Sequence, residues 1–142
     1  LIGPADLPEL DRMCARFPET PVIIDHVGGV RVRDGAVDAP GLRSLLVLAR
    51  HPRVYVKLGP VHGLGNRRAP FTDVVPLLRA VIAAFGAGRC LWESDCGGPV
   101  LMQEPARDYL ACLDVIRTAD FLTPLNKEQI LCATALQLLW PR

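Results

Sequence analysis

Residues 54–60 read Val54-Tyr-Val-Lys-Leu-Gly-Pro60, a β-branched and aromatic run that turns polar at Lys57 and stops at a Gly-Pro pair. An apolar run this short, bounded by breakers, predicts a strand over 54–58. Two stretches of the same design flank it. Pro21-Val-Ile-Ile-Asp-His26 starts 33 residues earlier, and Cys90-Leu-Trp-Glu-Ser-Asp95 starts 36 residues later. That spacing is the pace of a strand–helix repeat. Continuous apolar strands joined by helices are covered on both faces, which predicts a parallel α/β sheet or part of a barrel.

The intervening segments carry helical periodicity. Leu7, Leu10, Met13, Cys14 and Phe17 share one face before the first strand, and Leu42, Leu45, Leu46 and Ala49 share one after it. Val74 to Phe85 forms a longer apolar face, with Pro76 in the first turn, where its missing N–H costs little. Gly86-Ala-Gly88 is a helix stop and no phosphate loop, because a strand follows it. Tyr109, Leu110, Leu113 and Ile116 mark another helix, and a last one runs from Pro124 to Leu139 behind an N-cap at Thr123. The predicted order is α-βα-βα-βαα, in a single partial domain over residues 1–142.

Composition narrows the class. The 142 residues are 50% apolar, 22% charged and 6% aromatic, which excludes a disordered chain. Sixteen Lys and Arg balance fifteen Asp and Glu at a net charge of +1, so no long-range field selects nucleic acid as a partner. The five cysteines are odd in number and form no C-x-x-C, which predicts reduced and mostly buried thiols. No run approaches the ~18 apolar residues of a membrane helix, and no charged-then-apolar leader opens the sequence. The expected setting is cytoplasmic, without a membrane partner.

All three predicted strands end in polar residues followed by glycine: Asp25-His26-Val27-Gly28-Gly29, Lys57-Leu58-Gly59, and Glu93-Ser94-Asp95-Cys96-Gly97-Gly98. In parallel α/β folds the C-terminal strand ends carry the site. His26 and Asp95 are the residue types that bind a catalytic divalent metal or act as general acid and base. The alternative is a satisfied strand-end histidine and a turn aspartate. Strand alternation predicts that Glu93 and Asp95 share a face, and that Lys57 pairs with Glu93, since an unpaired buried carboxylate is costly. His62, on a glycine-flanked loop, is either a substrate contact or an exposed histidine. Arg67-Arg68 either clamps a substrate carboxylate or is solvated. Cys96 is a weak candidate nucleophile, and His51, before Pro52 on the opposite edge, reads as structural.

At these residues the chain resembles the amidohydrolase-related family of metal-dependent barrel hydrolases, and most of all its 2-pyrone-4,6-dicarboxylate lactonase branch. Pro21 to Gly28 is similar to the family strand "vviDHlG", and His51 to Gly59 to "pnVyvKLSG". Pro70 through Asp95 is similar to the helix leading into "drlmWGSDwP", and Thr123 to Leu138 to the closing helix "lseeerrkIlggNAlrLf". The resemblance implies a (β/α)₈ barrel, of which this chain, opening on Leu1, is the C-terminal portion with about three of the eight strand–helix units. It further implies a hydrolase of a carboxylated lactone, ester or amide, with Asp95 and His26 catalytic and also metal-ligating. His62, Lys57 and Arg67 are then substrate-binding, and the cofactor is a divalent metal, zinc, or none in the lactonase branch. The alternatives are a decarboxylase of the same superfamily and a non-catalytic half-barrel serving as an assembly module. Open strand edges favour a homo-oligomer. Departures from the motifs are Gly59 for serine, Glu93 for glycine, Cys96 and Gly97 for Trp-Pro, Thr134 for asparagine, and the absence of the H-x-H motif.

Overall fold

The computed structural model describes residues 2–96 and 105–140; Gly97, Gly98 and Pro99, part of the third strand ending, lie outside the described residues. Helix α1 (Leu7–Arg16) leads into β1 (Val22–Ile24). A hairpin of β2 (Val32–Arg33) and β3 (Ala36–Val37) precedes α2 (Ala39–Val47). Strand β4 (Val54–Lys57) is followed by α3 (Val61–Leu64) and α4 (Val75–Phe85). Then come β5 (Cys90–Leu91), α5 (Pro105–Arg117), and a final helix made of α6 (Pro124–Glu128), a π turn over Gln129–Ala133, and α7 (Thr134–Leu139).

β1, β4 and β5 form one parallel sheet in the order β1-β4-β5, with Val22 opposite Val54 and Val56 opposite Cys90. The expected alternation of strand and helix holds. Val54 and Val56 are buried under the helices, whereas Tyr55 and Lys57 lie half-buried on the opposite face. Leu45, Leu48, Leu77, Leu78, Val81 and Ile116 close the core, each at 0% exposure. Full burial of one such side chain is worth about 1.5–3 kcal/mol, which the helix propensity of these segments does not approach. Thr123 caps α6 through its hydroxyl, which accepts from the Asn126 N–H at 3.1 Å, and Gly86 ends α4 at φ 77°.

Three features differ from the sequence expectation. The hairpin was not anticipated. Its Asp34-Gly35 turn takes φ of 51° and 76°, the two-residue geometry that matches strand twist. β5 is two residues long instead of six. After Leu91, whose carbonyl accepts from the Leu58 N–H at 2.7 Å, the Trp92 N–H turns away from the sheet and donates to the Ile130 carbonyl at 2.8 Å. That carbonyl lies in the π turn, where the i→i−4 ladder is interrupted. Residues 92–95 are therefore not strand, and the alternation argument placing Glu93 and Asp95 on one face does not apply to them. His62 belongs to a buried short helix and not to an exposed loop.

The opposite edge of the sheet is fastened by Arg89. Its guanidinium donates to the carbonyls of Phe85 (2.9 Å), His51 (2.7 Å) and Ala49 (2.9 Å), joining the ends of α4 and of the segment after α2 to the start of β4. His51 is held beside it, with Nε2 2.8 Å from Asp11 Oδ1, which matches its structural reading. Arg89→Ala is expected to lower unfolding free energy by roughly 2–4 kcal/mol, because it strands several carbonyls. Arg89→Lys recovers less than half of that, since an ammonium lacks the fork. Denaturant titration checks both, and full recovery by lysine would contradict the role of the three-way guanidinium contact.

Candidate active site

Three non-glycine residues at the C-terminal strand edge adopt left-handed backbone: His26 (φ 55°), Val27 (φ 45°) and Asp95 (φ 47°). This region is costly for a β-branched residue, and such strain persists only where the surroundings enforce it. The chain after β1 coils through Asp25–Gly29, and Gly28 (φ 66°) lets the backbone approach Leu7, whose Cδ2 would lie 3.0 Å from a Cβ there. The coil turns His26 toward a cavity of about 950 Å³ that Asp95 also borders. Thus the two residues singled out as catalytic meet at one cavity.

Beside them lies a charged cluster. Glu93 Oε1 is 2.6 Å from His26 Nδ1 and accepts from the His26 backbone N–H at 3.1 Å. Lys57 Nζ is 2.7 Å from Asp25 Oδ1 and 3.6 Å from Glu93 Oε2. The expected Lys57–Glu93 pair is therefore present, with Asp25 as its stronger partner. The hydrogen bond from Lys57 to Asp25, helped by the charge of Glu93 and opposed by partial burial, holds the Lys57 ammonium above its ordinary 10.5. Gly59 makes room: a Cβ there would stand 2.8 Å from Glu93 Cγ and closer still to the Glu93 carbonyl oxygen.

Other candidates fall elsewhere. Lys57 is committed to Asp25 and Glu93 and is not among the residues bordering the cavity. His62 is buried on α3, with Nδ1 3.8 Å from Cys112 Sγ, while its neighbours Gly63 and Leu64 line the cavity. Arg67 and Arg68 are exposed and do not border it. Arg31 and Arg33, on and beside β2, do. Among the described ion pairs neither guanidinium meets a carboxylate; Arg31 Nη1 donates to the Gly63 carbonyl at 3.4 Å. Their signal was the Asp34-Gly35 hairpin turn, which places Arg31 and Arg33, two residues apart, on one side of a strand.

No disulfide forms among the described residues: Cys14, Cys90 and Cys112 are buried thiols, and Cys96 and Cys132 are exposed. Burial pushes Cys90 up to about 12 and Cys112 up to about 11. Among the described residues no three His, Cys, Asp or Glu side chains converge as a metal site. His26 and Asp95 are two donors at one cavity, and a catalytic zinc takes three protein ligands. The described residues therefore do not complete a zinc site by themselves. No described helix is long and apolar enough to cross a membrane.

A family model described as Amidohydrolase matches residues 2–139. An L-fucono-1,5-lactonase of Burkholderia ambifaria is 35% identical over 98 residues, which are 67% of this chain and 32% of that protein. A 4-sulfomuconolactone hydrolase of Rhizobium radiobacter is 36% identical over 77 residues, 54% of this chain and 25% of that one. Among solved structures, an amidohydrolase from Burkholderia multivorans with bound zinc superposes at TM-score 0.74 and 23% identity, covering 96% of this chain and 50% of that chain. A putative 2-pyrone-4,6-dicarboxylic acid hydrolase from Pseudomonas putida gives 0.65 at 23% identity, covering 94% and 48%. The chain thus spans about a third or less of the curated relatives and about half of the solved chains. Its α/β fold is that of a partial barrel.

The titrating groups set an alkaline limit. A raised folded value means stability that is complete below the unfolded value and lost as pH rises through the folded one. Cys90 and Cys112 start this loss above 9.0, and Lys57 adds to it above 10.5. Unfolding free energy should therefore decline from pH 9 upward. In Lys57→Met the decline above 10.5 should be shallower than in the wild type. Denaturant titrations across that range check this, and parallel curves would contradict it.

Proposed function

The chain belongs to the amidohydrolase family, and on that premise we propose that it supplies part of the active site of a lactone hydrolase. One observation carries the reading: His26 and Asp95, both on left-handed backbone at the C-terminal strand edge, border a single cavity with Arg31 and Arg33. In parallel α/β folds this edge is where chemistry is placed. Hydrolases among the sequence relatives, named for L-fucono-1,5-lactone and 4-sulfomuconolactone, support the lactone class.

Asp95 is the general base. Its carboxylate takes a proton from water as the water oxygen bonds to the lactone carbonyl carbon. His26, on the same cavity, orients that water. The ring C–O bond then breaks, the departing oxygen receives the proton, and the product is an open-chain hydroxy acid. Arg31 and Arg33 replace Arg67 as partners of a substrate carboxylate. A guanidinium fork matches a carboxylate bidentately, and neither arginine has a described ion-pair partner.

Asp95→Asn in the full-length polypeptide should lower kcat/KM for a carboxylated lactone by about 10²–10⁴-fold with little change in Tm. Product analysis accompanies the rate. Ring-opened acid without CO₂ supports the hydrolase, whereas release of CO₂ would assign a decarboxylase. Near-normal turnover in Asp95→Asn would reject Asp95 as the base, and a wild-type protein inert toward lactones, esters and amides would leave the assembly-module reading.

A further inference from the structure

We propose that Glu93 is a positioning residue for His26. It holds the imidazole in the Nδ1–H tautomer and leaves Nε2 as the nitrogen presented to the cavity. A carboxylate paired with an ammonium only accepts hydrogen bonds, so the nitrogen 2.6 Å from Glu93 Oε1 carries the proton. His26 borders the cavity, and with Nδ1 held, the Nε2 edge is the one free to face it. The same Glu93 oxygen accepts from the His26 backbone N–H, so one carboxylate fixes both the ring and the left-handed backbone that aims it. The Glu93 side chain is only 13% exposed, which makes the contact an enclosed, charge-assisted one. A histidine whose second nitrogen is oriented by a carboxylate is the standard arrangement for a reactive or ligating imidazole.

Gly59, just after β4, meets Glu93 at this contact. A side chain at 59 would collide with Glu93 Cγ and its carbonyl oxygen. Gly59 thus makes room for both the backbone and the side chain of Glu93.

The assignment rests on His26 being part of the reactive site, yet its main readout needs no activity. The full chain, labelled with ¹⁵N-histidine at pH about 9, where a free imidazole is neutral, reports the tautomer directly. The His26 signal is identified by its loss in His26→Asn. In the wild type the proton should reside on Nδ1. Glu93→Ala should shift the Nδ1–H to Nε2–H ratio by roughly 10- to 100-fold toward Nε2–H. Gly59→Ala, which forces the Glu93 backbone and Cγ to move while keeping the carboxylate, should shift the ratio the same way. If Glu93→Ala does not fold, Glu93→Gln, whose neutral amide oxygen accepts more weakly, should shift the ratio part of the way toward Nε2–H, and an unchanged ratio overturns the proposal.

In a turnover assay Glu93→Ala should lower kcat more than it raises KM, per folded molecule. A wild-type His26 that is mainly Nε2–H, or a ratio unchanged by Glu93→Ala, overturns the proposal. An Nδ1–H tautomer controlled by Glu93 in a protein without hydrolase activity supports it and removes the hydrolase reading alone.

Discussion

One carboxylate ties together the C-terminal ends of all three parallel strands. Glu93 follows β5, accepts from the ring and backbone of His26 after β1, and faces the ammonium of Lys57 at the end of β4. Its position depends on Trp92 leaving the sheet for the Ile130 carbonyl, and on Gly59 presenting no side chain. Lys57 answers both Glu93 and Asp25, so the cluster brings its own countercharge instead of burying an unpaired acid. At the other edge Arg89 gathers three carbonyls at 2.7–2.9 Å in the same manner. The sheet is thus fastened at both ends by polar groups, with the aliphatic core between them.

Much of this was legible in the sequence because it depends on periodicity and local chemistry. Val74 to Phe85 could be read as a helix from its apolar face, and Thr123-Pro124 as a helix start, since capping is local. The Lys57–Glu93 pair followed from the cost of a lone buried carboxylate. What escaped depends on long-range geometry. The truncation of β5 turns on a hydrogen bond from Trp92 to a π turn 38 residues away, which no window around Trp92 reveals. Strands of two residues at 32–33 and 36–37 are too short for alternation to register, so it does not single out Arg31 and Arg33 above the adjacent pair at 67–68. His62 looked like a loop residue from its glycines, but α5 brings Cys112 against it and buries it.

The site brings together what the two strand endings contribute. His26 and Asp95 come from opposite edges of the sheet, and both are held on backbone that a relaxed chain avoids. Arg31 and Arg33 border the same cavity from the hairpin, so its lining carries two guanidinium groups besides His26 and Asp95. The chain is an amidohydrolase family member, and lactone hydrolases are among its relatives. The chain spans only part of those relatives, and the described residues offer two metal donors where a catalytic zinc takes three. What the chain contributes on its own residues is a carboxylate at Asp95, an imidazole held by Glu93 at His26, and two guanidinium groups, all at one cavity.

Glu93 and His26 act as one unit. A double-mutant cycle on folding stability measures this most directly, using Glu93→Ala, His26→Ala and the double variant. The expected coupling is about 1–3 kcal/mol, the size of an enclosed, charge-assisted hydrogen bond. Additivity within about 0.5 kcal/mol would mean that the two residues are independent neighbours, and would contradict it.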